Sequence, residues 1–346
     1  MALQELPSVA VAYGAAQRRQ RNAALYEIED LWRRVGTADI TSDFLNVAPE
    51  LFQVANATQD RLGAAAVEYV PQVLEATGQS KAITPRFDVA SDAMTGYAGS
   101  GVGTEVIAYG AVTRAKAAIE AGVAPSTALY QGGQWLTAAF GTVFADTSRM
   151  TEGMAGFARP VSGYVRMLNG ESCGRCIILA GKFYRKNAGF KRHPGCDCRH
   201  IPASENLAGD MTTNPIDYLD ELDDDRLAKA LGSKANARAY NDGADPGQLI
   251  NAYRQPGGSR GPGGIPSIKT AQVYGKDVKY TLEGTTRRGM ANYQMREVRA
   301  LSRFNPARNR REATAVRLMP ESIYSIARDQ AHADQMLRDF GWIVRR

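Results

Sequence analysis

The stretch ESCGRCIILAGKFYRKNAGFKRHPGCDCRH, residues 171–200, decides how the rest of the chain is read. It holds all four cysteines of the protein, as Cys173-x-x-Cys176 and Cys196-x-Cys198 with nineteen residues between the pairs. Two of the three histidines, His193 and His200, flank the second pair. A tetrahedral zinc site needs four thiolate or imidazole ligands, and two close pairs joined by a short excursion supply them with little loop entropy. Cys173, Cys176, Cys196 and Cys198 are therefore the expected ligands, with His193 or His200 replacing one of them as the variant. Buried free thiols and disulfides are the alternatives. A fully ligated ion leaves no position for water, so a structural Zn2+ is expected. A catalytic ion would need a vacant position and a nearby base, for which His200 and Asp197 are the candidates.

Locally, the first cysteine pair is expected in a turn at the end of a helix, and Pro194-Gly195 in a second turn presenting Cys196 and Cys198. Ile177, Ile178, Leu179, Phe183 and Tyr184 then pack a short strand or hairpin that is too small to stand without a staple. Lys182, Arg185, Lys186, Lys191, Arg192 and Arg199 make this knuckle basic, which suits a nucleic-acid or acidic-protein surface.

Upstream the pattern is helical. Leu25, Ile28, Leu31, Trp32 and Val35 recur at helical spacing and stop near Gly36. A second pattern runs from Pro49 to Ala76, with Pro71 expected to kink or divide it. Two helices with short connections favour a bundle. GYAGSGVG, residues 96–103, precedes an alanine-rich helix, Thr104 to Ala121, closed by Gly122. It lacks the Lys-Ser/Thr of a phosphate loop and the dinucleotide spacing, so it reads as a hinge. Pro125-Ser126 opens another helix, with Leu136, Phe140, Val143 and Phe144 as its stripe, and Tyr164, Val165 and Leu168 continue helically to a stop at Asn169-Gly170.

Downstream, Asn214-Pro215 reads as an N-cap with Pro at the first helical position. Six carboxylates crowd residues 217–225, and without the spacing and glycine turn of a calcium loop they read as a solvated face. Residues 243–266, containing PGGSRGPGGIP, read as a linker. Beyond it, Val273 to Leu282 suggests one or two strands, and Asn305-Pro306 and Pro320-Glu321 look like helix starts, with Ile323, Ile326, Ala327, Leu337 and Phe340 inward and Gly341 as stop.

The expected class is mainly α. It comprises a helical body over 1–168, a Cys-rich zinc knuckle with a β-hairpin insert and acidic helices over 169–242, the Gly/Pro linker 243–266, and a small α/β unit over 267–346. Apolar residues make up 44% and charged residues 23%, which excludes a wholly disordered chain. No stretch approaches the roughly 18 apolar residues of a bilayer span, and the first sixteen residues lack a basic n-region, so a soluble cytoplasmic protein is expected. Charge is uneven. Residues 287–346 hold thirteen Arg and no Lys against six acidic groups, a net +7 beside +6 for the whole chain. Arg287, Arg288, Arg308, Arg310 and Arg311 are the candidate phosphate contacts of this part, and a solvated helical surface is the plain alternative.

On these residues the sequence resembles the minor head proteins of tailed bacteriophages, the MuF-like head morphogenesis family, in the form found in phages of actinobacteria. The matching elements are Cys173-x-x-Cys176 with Ile178-Leu179-Ala180-Gly181-Lys182-x-Tyr184, then Arg192-His193-Pro194-Gly195-Cys196-Asp197-Cys198-Arg199. Gly195 stands where the broader family carries Asn in a His-x-Asn-Cys-x-Cys pattern. The segments Glu283 to Gly289, Arg317 to Glu321 and Gly341 to Ile343 also look like the actinophage proteins.

The resemblance implies a low-copy structural protein, assembled in the host cytoplasm and carried in the capsid interior of the virion. Portal, coat or scaffold proteins would be its partners, DNA its neighbour, and no membrane is involved. Similar genes are also labelled capsid maturation proteases, which is the alternative. A serine protease needs a positioned Ser, a His base and an acid, and only His193, His200 and His332 are on offer, with no Gly-x-Ser-x-Gly or His-Glu-x-x-His motif. A zinc-containing nuclease is a third option, though the usual His-rich site is not seen.

Overall fold

A computed structural model describes residues 6–168, 172–186, 188, 196, 198–204, 214–252, 268–273, 276–281 and 317–344. Within these it is mainly helical, with two small three-stranded antiparallel sheets. Contacts group the chain into two compact units, Met1–Ser172 with Leu179–Tyr218, and Cys173–Ile178 with Leu219–Arg346.

The first unit is built on four helices, α1 (Ser8–Arg33), α2 (Ile40–Ala76), α3 (Thr104–Glu120) and α4 (Pro125–Phe157). The expected stripe of α1 is inward, with Ile28, Leu31, Trp32 and Val35 all buried, and it faces Phe44, Leu51, Phe140 and Phe144. α4 begins with Pro125 at its first turn, and its stripe Leu136, Phe140, Val143 and Phe144 is buried. α3 ends at Glu120 with Gly122 at φ +88°, a left-handed stop open to glycine without strain. At the middle of the bundle the helices approach closely. A Cβ on Gly133 would lie 2.6 Å from the indole of Trp32, and one on Gly132 would lie 3.0 Å from the Ala111 carbonyl of α3. The Gly132-Gly133 pair is the flat spot on which that indole rests, with Nε1 donating to the Leu129 carbonyl at 2.9 Å.

Three expectations are corrected in this unit. α2 starts at Ile40, where Asp39 accepts from the Ser42 amide, and runs through both Pro49 and Pro71 without a break. Tyr69, Val70, Val73 and Leu74 around Pro71 are completely or almost completely buried, so packing outweighs the lost backbone bond. Tyr164 to Leu168 does not continue a helix: α4 ends at Phe157 before Arg159-Pro160, and Gly163–Met167 is a strand, β1. β1 is buried at every position, so it has no alternation to betray it. Finally, the expected hairpin is a three-stranded sheet in the order β2-β1-β3, with β1 between β2 (Phe183–Arg185) and β3 (Arg199–Ala203). Val165 pairs with Phe183 on one side and Ile201 on the other, and Arg166 pairs with His200. The sheet shares a core with Tyr69, Val73 and Ala155 of the helices, so it does not stand alone.

The glycine-rich segment 96–103 closes on itself. Tyr97 bridges Gly103, Thr104 N donates to Gly96 O, and the buried Gln59 of α2 donates to the Met94 and Tyr97 carbonyls while accepting from Gly96 N.

The second unit contains the helical turn α5 (Gly174–Ile177), helices α7 (Asp224–Leu231), α8 (Lys234–Asn241) and α9 (Pro246–Asn251), and a sheet of β4 (Ile268–Val273), β5 (Lys276–Thr281) and β6 (Arg317–Leu318). α10 (Pro320–Ile326) and α11 (Gln330–Asp339) complete it. Between the units in sequence, α6 (Pro215–Asp220) follows Asn214, whose side chain accepts from Ile216 N as expected for an N-cap.

Of the region 273–282 expected to be one or two strands, β5 is the one strand inside it; its antiparallel partner β4 lies upstream and reaches only to Val273, which pairs with Lys276. The linker assignment is corrected for its first residues: Asp245 caps α9, Pro246 opens it, and Leu249, Ile250 and Ala252 are buried. An Asp-Pro helix start was hidden there among glycines, and residues 253–266 lie outside the described part. The region read as one helix up to Gly341 is two, because Asp329 accepts from the His332 amide and starts α11 afresh. Gly341 is the stop, at φ +68°.

Candidate metal centre

The Sγ atoms of Cys176, Cys196 and Cys198 lie within 4.8 Å of one another, and all three residues are buried. A buried three-cysteine cluster of this kind can coordinate a metal ion. In a tetrahedron with Zn–S near 2.3 Å, sulfurs sit about 3.8 Å apart, so the group needs only small side-chain adjustments. Thiolates suit soft or borderline ions, zinc among them. None of the four cysteines is in a disulfide. Cys173 is exposed, at the N-cap of α5, and is not a member of the cluster; the pair thus starts a helical turn instead of ending a helix. In that turn Gly174 is tightly held, since a Cβ there would lie 2.3 Å from the Ala230 carbonyl. His193, Pro194-Gly195 and Asp197 lie outside the described residues.

Around Cys196 and Cys198 the first unit gathers buried charge. Arg149 of α4 donates through Nη1 to the carbonyls of both Cys196 and Cys198, and through Nη2 to Asp146 at 2.5 Å. Arg166 of β1 points Nη2 at the Cys196 sulfur, 3.6 Å away. Arg199, expected on a basic surface, is 1% exposed and pairs with Glu152 at 3.7 Å. A guanidinium is buried only when carboxylates, carbonyls or other anions compensate it.

Glu152 is the centre of the neighbouring network. Its carboxylate accepts from Tyr13 OH at 2.8 Å and from His200 N at 3.1 Å, and His200 Nδ1 is 3.8 Å away. Burial pushes the Glu152 carboxyl up from its ordinary range; Arg199 opposes this most, then the His200 amide and the Tyr13 hydroxyl. Burial also raises the phenols of Tyr13 and Tyr69, with Glu152 adding to both. Those two rings stack at 4.0 Å, and Tyr69 OH donates to the His200 carbonyl. His200 itself lies 4.1 Å from the ring of Tyr164 and is nearly buried. The described geometry thus gives it a place in the protein interior beside Glu152, and it is not in the three-cysteine cluster.

None of Tyr13, Tyr69, Asp146, Arg149, Glu152 or Arg166 stood out in the sequence. One signal was present. The apolar stripe of α4 runs into Asp146-Thr147-Ser148-Arg149 and Thr151-Glu152, and every one of these is buried. A helix that turns polar on all sides while its apolar stripe continues is a buried network in disguise.

The remaining candidates fare differently. The acidic run spans the end of α6 and the start of α7, where Asp223 accepts from Arg226 N and Asp224 and Asp225 occupy the first turn, favourable against the helix dipole. Arg287, Arg288, Arg308, Arg310 and Arg311 lie outside the described residues. Arg317, counted in the basic excess, is fully buried: it donates to the Phe340 and Gly341 carbonyls and lies 3.9 Å over Trp342, and burial lowers it to about 9. No described helix is long and apolar enough to cross a membrane.

Comparison of the chain with family models, with curated proteins and with solved structures finds no match.

Proposed function

We propose that the chain is a structural minor capsid protein of the MuF-like type, a low-copy component of a tailed-phage head that acts in procapsid assembly near the portal. In this reading Cys176, Cys196 and Cys198 hold a structural Zn2+, with Cys173, or His193 or His200, completing the tetrahedron. The observation that carries it is the convergence of thiols from both pairs into one buried cluster, because those pairs are also the part of the sequence that resembles the family. Portal, coat or scaffold proteins are its partners, and the arginines of residues 287–311 face packaged DNA.

Elemental analysis of the reduced, purified chain tests the metal part, with stoichiometric zinc as the expected result. Co-expression with coat and scaffold proteins tests the role: assembly should respond to the chain while coat protein stays intact. Specific cleavage of coat or scaffold that disappears in His193→Ala or His200→Ala, with the fold preserved, would overturn the structural reading in favour of a maturation protease.

A further inference from the structure

We infer that Arg149 and Arg166 are positioning residues of the metal centre, holding the Cys196-x-Cys198 segment and its sulfurs in ligating geometry; this rests on the metal reading above. The two arginines come from different elements, α4 and β1, and converge on Cys196. Arg149 grips both ends of the segment through the carbonyls of Cys196 and Cys198, fixing how far apart the two cysteines are held. Asp146, one helical turn earlier, holds the guanidinium in that pose. Arg166 contributes an N–H toward sulfur, a bond that draws charge out of a thiolate and is worth most where water is excluded.

Partners that orient ligands in this way are worth roughly 10–100-fold in metal affinity.

The test uses the full chain, purified reduced, as wild type, Arg149→Met, Arg166→Met, Arg149→Lys and Arg166→Lys, with the exposed Arg34→Met as control. Zinc affinity is read by competition with a chromogenic chelator, and the Co2+-loaded form by its thiolate-to-metal charge-transfer absorption. Both Met variants should bind zinc roughly 10–100-fold more weakly. Arg166→Met should move the charge-transfer band to lower energy, since sulfur lone pairs released from an N–H donor are easier to ionise, and Arg166→Lys should move it back. Arg34→Met should match wild type.

Met variants that keep helical content, zinc affinity and the band of wild type would overturn the inference while leaving the metal site standing. Should Arg149→Met fail to fold, the band position in Arg166→Met and its Lys rescue decide alone. A wild-type chain with neither zinc nor a thiolate–cobalt band would remove the metal reading itself, and this inference with it.

Discussion

Replacing Gly133 by Ala should destabilise the protein, although the same change elsewhere in the same helix should stabilise it. An interior helical Gly→Ala gains about 1 kcal/mol from backbone entropy and propensity. At Gly133 the new methyl would sit 2.6 Å from Cδ1 and 2.8 Å from Nε1 of Trp32. That indole cannot easily yield: it is buried, it lies 6.2 Å from the ring of Phe44, and its N–H is engaged by the Leu129 carbonyl. Overpacking costs about 1–3 kcal/mol and a lost hydrogen bond about 1 kcal/mol, so the net loss should be about 1–3 kcal/mol after the helical gain. At Gly153, also in α4, a Cβ meets nothing within 4 Å, and Ala should gain about 1 kcal/mol. Urea denaturation followed by far-ultraviolet circular dichroism measures both, and Trp32→Leu combined with Gly133→Ala should recover most of the penalty as a coupling energy. Equal midpoints for Gly133→Ala and Gly153→Ala would refute the close-packed reading of the bundle.

Other outcomes follow from the buried polar groups and the cysteines. Because the folded state raises the Glu152 carboxyl above the ordinary 4.5, the native protein holds that proton more tightly than the unfolded chain, and stability falls as pH rises from 4.5 through the raised value. Glu152→Gln should remove this slope, so its stability relative to wild type should improve on going from acidic to neutral pH; a parallel pair of stability–pH curves would contradict the shift. Arg317→Met strands the Phe340 and Gly341 carbonyls and should destabilise the second unit by about 2–4 kcal/mol, seen as an earlier loss of the Trp342 fluorescence signal in denaturant. Cys176→Ser should abolish stoichiometric zinc, and chelation of the wild type should lower its melting temperature in proportion to the metal bound. DNA binding should weaken steeply with added salt and more weakly in a variant with Arg308, Arg310 and Arg311 replaced by Gln.

The parts of the fold legible in the sequence are those where one periodicity answers to one face. Leu31 and Val35, or Phe140 and Phe144, repeat on a helix with water on its other side, and their burial was plain from spacing. β1 was not legible, because a central strand buried on both faces has no alternation and Tyr164-Val165 fits a helix as well. α9 was obscured by flanking glycines, although Asp245-Pro246 carried the cap signal. At the metal centre, chemistry singled out the cysteines irrespective of fold, since few other roles want four thiols in 26 residues. The arginines and Glu152 escaped notice because charge on an amphipathic helix is ordinarily solvated, and only tertiary contacts show that here it is not.

The pairing of Tyr13 with Glu152 and of Tyr69 with His200 spans 139 and 131 residues. On a ribosome adding roughly 5–20 residues per second, the hydroxyl of α1 must wait on the order of ten to thirty seconds for its acceptor to emerge. During that interval the stacked tyrosines and the long stripe of α2 have no completed partner surface, so nascent chains of this protein should be clients of holdase chaperones until the third strand of the first sheet has cleared the exit tunnel.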